Sequence, residues 1–223
     1  MIRVKLPFNL IRKIGKIRFG TAETPSVPKP EISQQTITAL QIKSVDALIK
    51  SLSDKDPFVR AISCEVLGKM REKKALKQIM LLMKDPSKYV REKAAIALGQ
   101  IGDKKAVPVL VEAINDESEE VRVTVAGVLG HLRDRMAVPA LIKTLEDPSP
   151  TARMKAAISL GLIGDPVAIP ALFQALKDPH ELVRRYACEA LGNIGRPSIP
   201  ALLLALKDEN VRAHAAQVLV KIK

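Results

Sequence analysis

The chain has 223 residues and carries 36 Lys+Arg against 24 Asp+Glu, a formal net charge of +12. Hydrophobic residues make up 47%, which supports a buried core and excludes wholesale disorder. Two cysteines exclude a disulfide scaffold or a Cys-rich zinc module, and 3% aromatics with no Trp leave few platforms for stacking bases. No apolar run reaches transmembrane length, and the N-terminus holds no continuous apolar stretch of the secretory kind.

Residues 1–35 stand apart. Arg3, Lys5, Arg12, Lys13, Lys16 and Arg18 occur with no acid before Glu23. Apolar residues, among them Phe8 and Phe19, are interleaved with them. Pro25, Pro28 and Pro30 mark an extended linker. The segment admits three readings: an unstructured tail, a basic amphipathic element on an anionic membrane, or a segment that docks on a partner or sister chain. Seven Lys+Arg against two Asp+Glu make it the densest source of the positive charge.

The rest of the chain is a repeat. Arg60, Arg91, Arg122, Arg153 and Arg184 recur every 31 residues. Asp54, Asp85, Asp116, Asp147 and Asp178 lie six residues before them, and Gly68, Gly99, Gly130, Gly161 and Gly192 eight after. Each period holds two helices. Helix A has apolar residues at three- and four-residue spacing and a proline in its first turn, as in Ala106 to Ile114. Helix B runs from the arginine through an alanine pair to a Gly-x-Ile-Gly end, where Gly102 or Gly164 supplies a left-handed cap. Residues 43–53 read as a lone helix A, with Ile32 to Leu40 as a degraded helix B before it. The final unit is trimmed, since Asp208 and Arg212 are only four apart.

The repeat 85–115 reads D-P-x-x-x-V-R-x-x-A-A-x-A-L-G-x-I-G-D-x-x-A-V-P-x-L-x-x-A-L with few departures. This resembles the HEAT repeat, in the short class named after phycobilisome lyases. The resemblance covers about residues 42–223. It implies an all-α, right-handed solenoid of about six helical hairpins over residues 36–223, with helix B lining the concave face. It leaves function open, because the family holds scaffolds, adaptors and a few enzymes.

The Arg and Asp ladders read as structural. Each acid travels with an arginine, so each Asp is expected to cap helix B and each Arg to bond to loop groups of its own or an adjacent repeat. The Gly-x-Ile-Gly stretches sit at helix C-termini, where the dipole disfavours anions, so they are not phosphate loops. Cys64 and Cys188 occupy the core alanine position four repeats apart, too far for a disulfide, as in a reduced, cytoplasmic protein. HEAT-repeat hydroxylases build a di-iron site from several His-Glu pairs. Here only His180-Glu181 forms one, so no metal, cofactor or catalytic residue is assigned.

The positions one, two, five and nine after each arginine are not fixed by the core pattern. Their charges are mixed, unlike a nucleic-acid track. Their middle is apolar. Val123, Thr124, Met154, Lys155, Ile158, Leu162, Arg185, Tyr186 and Glu189 are therefore the candidate binding residues for another protein. The expected function is a non-catalytic scaffold or adaptor that uses this face, with the basic tail docking on a membrane or partner. The alternatives are a subunit of a bilin lyase-type enzyme, which the resemblance permits, and a nucleic-acid-binding repeat protein.

Overall fold

The computed structural model describes residues 45–222. The tail residues Arg3, Lys5, Phe8, Arg12, Lys13, Lys16, Arg18 and Phe19, the proline linker and the Ile32–Leu40 cap lie outside the described residues. Among the described residues there are twelve α-helices and no strand. They form six hairpins in which short helices A alternate with longer helices B. The helices A are α1 (Val45–Ser51), α3 (Leu76–Leu81), α5 (Val107–Ala113), α7 (Val138–Thr144), α9 (Ile169–Ala175) and α11 (Ile199–Ala205). The helices B are α2 (Pro57–Lys69), α4 (Lys88–Ile101), α6 (Glu119–Leu132), α8 (Pro150–Ile163), α10 (Glu181–Ile194) and α12 (Arg212–Lys221).

The sequence dictates these limits locally. Pro108, Pro139, Pro170 and Pro200 sit in the first turn of helix A, where a missing N–H costs no hydrogen bond. Four of the six helices B end at or beside a left-handed residue: Gly102 has φ 73° and Gly164 φ 72°. Arg71 and Arg133 take the same conformation with φ 53° and 50°, which a side chain adopts less readily than glycine. A single 3₁₀ turn, such as Lys104–Ala106, precedes five of the six helices A. Its opening acid is a second ladder that the repeat pattern also carries. Asp103, Asp134 and Asp165 accept from the backbone N–H two residues on, at 2.9, 3.0 and 3.0 Å.

One continuous core runs through the stack. Leu67, Leu98, Leu129, Leu160 and Leu191 of helices B are fully buried, as are Leu110, Leu141, Leu172 and Leu202 of helices A. Each contributes about 1.5–3 kcal/mol by leaving water. Helices B pack closely along their row. A Cβ added at Gly68, Gly130 or Gly161 would lie 2.7, 2.7 or 2.8 Å from the Cα of Ala97, Ser159 or Ala190 on the next helix B. Consecutive helices A leave grooves between them, such as the one lined by Phe173, Leu176 and Leu204. A stack that is tight along one row and open along the other curves toward the tight row. Helices B therefore form the closely packed row of the stack and helices A the more open one. Cys64 and Cys188 lie in this core, and burial pushes their thiols up to about 12 and about 11.

The ladders join one hairpin to the next. Arg91 Nε and Nη2 donate to both carboxylate oxygens of Asp116 at 2.7 and 2.8 Å, one repeat on. Its Nη1 donates to the carbonyls of Asp85 and Pro86 in its own loop. Arg60, Arg122 and Arg153 repeat the arrangement with Asp85, Asp147 and Asp178. The aspartates do not cap helix B directly. Asp85, Asp116, Asp147 and Asp178 accept from the N–H two residues on, which belongs to the residue at the cap position. The acid thus fixes the turn that enters helix B rather than its first helical N–H.

Candidate protein-binding face

The nine candidate residues come from three consecutive helices B. Val123 and Thr124 lie on α6, Met154, Lys155, Ile158 and Leu162 on α8, and Arg185, Tyr186 and Glu189 on α10. Eight of them are half-buried and Arg185 is exposed. The same positions on the flanking helices keep exposure as well, as at Ile62, Glu65, Glu92, Lys93, Ile96 and Gln100. Ala61 is the exception, a short side chain covered completely by its neighbours. Neither the stacking of repeats nor the core removes this row from water. The structure brings Val123, Met154, Ile158 and Leu162 onto one face, each of them partly buried.

The charges on this face are largely used among themselves. Lys93 bridges to Glu65 at 2.7 Å and lies 5.6 Å from the Tyr89 ring centroid. Lys69 meets the other oxygen of Glu65 at 3.0 Å. Burial opposes the Glu65 carboxylate, but the Lys93 and Lys69 ammonium groups outweigh it and hold its pKa below the usual range. At the other end Arg185 pairs with Glu189 at 3.2 Å and stands over the Tyr186 ring at 5.8 Å. Lys155, in the middle, forms no ion pair among the described residues. Cations neutralised by acids do not draw a phosphate backbone along this row. The chemistry is that of an apolar centre with a polar rim.

Among the described residues no three His, Cys, Asp or Glu side chains lie together as a metal site, and no helix is long and apolar enough to cross a membrane. His131 is exposed, and its Nδ1 lies 2.9 Å from the carbonyl of Gly127. The repeat pattern did not single out Gly127 itself, although a glycine in the middle of helix B breaks the row of larger residues at that position.

A stack of helical hairpins of this kind defines the class of α-solenoid repeat proteins. The family profile described as HEAT repeats matches residues 45–122, 109–181 and 169–223, and the chain belongs to that family. Among curated protein sequences none matches the chain. Solved structures similar to it include a chain of the complex of CpcE and CpcF of phycocyanin lyase from Nostoc sp. PCC7120. That chain has 26% identity and a TM-score of 0.61 over 90% of this chain and 80% of its own. A designed armadillo repeat protein in complex with the peptide (KR)4 has 19% identity and a TM-score of 0.60 over 79% of this chain and 98% of its own. An engineered protein has 21% identity and a TM-score of 0.57 over 79% and 95%.

Proposed function

We propose that this chain is a non-catalytic scaffold or adaptor whose concave face binds a segment of another protein. The observation that carries the reading is the partly buried apolar centre formed by Val123, Met154, Ile158 and Leu162, framed by paired charges at Glu65–Lys93 and Arg185–Glu189. Apolar side chains that the fold covers only in part are what a partner's anchor residues bury. Thr124, Lys155 and Tyr186 supply polar contacts that fix register. The likeness to a chain from a complex of two proteins supports a protein partner.

Affinity capture from the source cell with mass spectrometry identifies the partner. Met154→Glu and Ile158→Glu are expected to weaken its binding by about tenfold or more, or about 1.4 kcal/mol. Their far-UV circular dichroism is expected to match the parent. Lost helicity in these variants would assign the two side chains to the core and withdraw the reading.

The basic tail, with Arg3, Lys5, Phe8, Arg12, Lys13, Lys16, Arg18 and Phe19, adds a second docking element for a membrane or partner. Co-sedimentation with anionic liposomes, with and without residues 1–20, tests it, and equal sedimentation removes the membrane. One observation favours a second reading. The 26% identity to a chain of the phycocyanin lyase complex fits a subunit of a bilin lyase-type enzyme. Mixing the purified chain with bilin tests this, and an unchanged absorbance spectrum leaves the scaffold.

A further inference from the structure

The 3₁₀ turns between helix B and helix A carry charges that the fold does not use. Each of the first four leaves its first two residues exposed and buries the third, Ala75, Ala106, Ala137 or Ala168. In register the exposed pairs read Lys73–Lys74, Lys104–Lys105, Arg135–Met136 and Pro166–Val167. Arg71 and Arg133, in left-handed conformation beside the ends of α2 and α6, are exposed next to them. Stacked hairpins bring successive turns to within about 8–10 Å, so these cations repel one another.

Acids on this edge are fewer and turned inward. Glu72, Asp103 and Asp134 open the first three turns, and each accepts from a backbone N–H of its own turn. Against these three stand seven exposed cations. Lys104 lies 3.8 Å from Asp134 and Arg135 3.4 Å from Asp165, but 63% and 80% of the two cationic side chains stay in water. Pairs so exposed contribute little. The turns lead directly into helix A, and a helix start favours acids over cations. The opposite edge differs. There the arginines Arg60, Arg91 and Arg122 are clamped by their aspartates. Lys55 lies between Asp54 and Asp56, and Lys84 and Lys88 meet Glu112 and Glu120. Glu117 and Glu119 stand exposed on that edge. Past the cations the row of turns becomes apolar, with Met136 59% and Val167 68% exposed.

We propose that this row of turns is the surface by which the folded repeats lie on an anionic membrane. Lys73, Lys74, Lys104 and Lys105 meet the lipid headgroups, and Met136 and Val167 enter the headgroup boundary. Attraction to anionic lipid and burial of a small apolar area are the two contributions that hold a protein to such a surface. A nucleic acid fits less well. It gains nothing from Met136 and Val167, and these turns offer no aromatic side chain to its bases. The acids of the far edge face away from the lipid, and the row of helices B stays open to a protein partner. The inference deepens the membrane reading of the basic tail but uses none of the tail's residues, so the two can fail separately.

The test is co-sedimentation of the full chain with vesicles of phosphatidylcholine and phosphatidylserine, against vesicles of phosphatidylcholine alone. The parent is expected to bind the mixed vesicles only, and less as salt rises. Lys73→Gln, Lys74→Gln and Lys105→Gln together are expected to lower this binding by about tenfold or more. Their far-UV circular dichroism is expected to match the parent, because the three side chains are exposed. Met136→Ser with Val167→Ser is expected to lower it by about threefold or more. Arg12→Gln, Lys13→Gln and Lys16→Gln together isolate the tail. Parental binding by the three-lysine variant, with loss in the tail variant, would overturn the edge and leave the tail on the membrane. A parent that ignores the mixed vesicles would overturn both. Unchanged binding after Met136→Ser with Val167→Ser would overturn the membrane in favour of a soluble polyanion, which retention on duplex DNA then identifies.

Discussion

Arg91 uses every N–H it has at a single junction. Its five donors reach both oxygens of Asp116, the Glu117 carboxylate and two loop carbonyls. The pair is nearly dry, with 7% and 9% of the two side chains exposed. Arg184 holds the same place in the fifth repeat but reaches only the carbonyls of Asp178 and Pro179, and its Nε is buried without a partner. The unit it faces is trimmed in two places: Gly195 to Pro200 spans six residues where Gly164 to Pro170 spans seven, and Asp208 and Arg212 are four apart where Asp178 and Arg184 are six. Asp208 then bonds to Asn210 and does not meet Arg184. Arg91→Ala is expected to cost about 3 kcal/mol, because it strands the Asp116 carboxylate. Arg184→Ala is expected to cost about 1–2 kcal/mol, since it strands no charge. Chemical denaturation of the two variants checks the order. The ladder itself was legible as a spacing of 31, but the missing clamp was not. The acid is still present in the sequence, and only the structure shows that Arg184 does not reach it.

At the scale of the helix, two glycines differ in what surrounds them. Gly161 lets α8 approach α10, and a Cβ there would lie 2.8 Å from the Ala190 Cα. Backbone cannot move aside as a side-chain tip can. Gly161→Ala is therefore expected to destabilise by about 1–2 kcal/mol, the crowding outweighing the better helix propensity of alanine. Gly127→Ala, one helix B earlier, is expected to stabilise by up to about 1 kcal/mol, as no neighbour opposes its Cβ. Thermal unfolding of the pair reads the opposite signs. The helical phases, the prolines of helix A and the Gly102 and Gly164 caps were all legible in the sequence, because each is a local backbone preference. The 3₁₀ turns were not separated from helix A, although Asp103, Asp134 and Asp165 repeat in register and mark their starts.

Across the whole molecule the ion pairs act as one row, and acid should reveal it. Burial opposes the Asp116, Asp147 and Asp178 carboxylates, yet the arginines Arg91, Arg122 and Arg153 and the turn N–H groups outweigh it, so each titrates below the usual range. The unfolded chain then takes up these protons first as pH falls. Their stabilisation is whole above the unfolded value of about 3.9 and drains as pH drops through the folded values. The thermal midpoint is expected to hold between about pH 7 and 5 and to fall steeply below about 4. A midpoint unchanged at low pH would remove the row from the stability of the stack.

The sequence by itself determined the repeat, its two helices, the caps and the core leucines. Those features follow from backbone preference and from apolar period, which are properties of neighbours along the chain. It also named the apolar stretch from Val123 to Leu162. The tertiary structure decided how tightly each helix B meets the next. It decided which arginine finds its aspartate one repeat away. It also separated Gly127 from the other glycines, because whether a space beside a helix is filled depends on residues about 30 positions distant, as the Gly68–Ala97 approach shows.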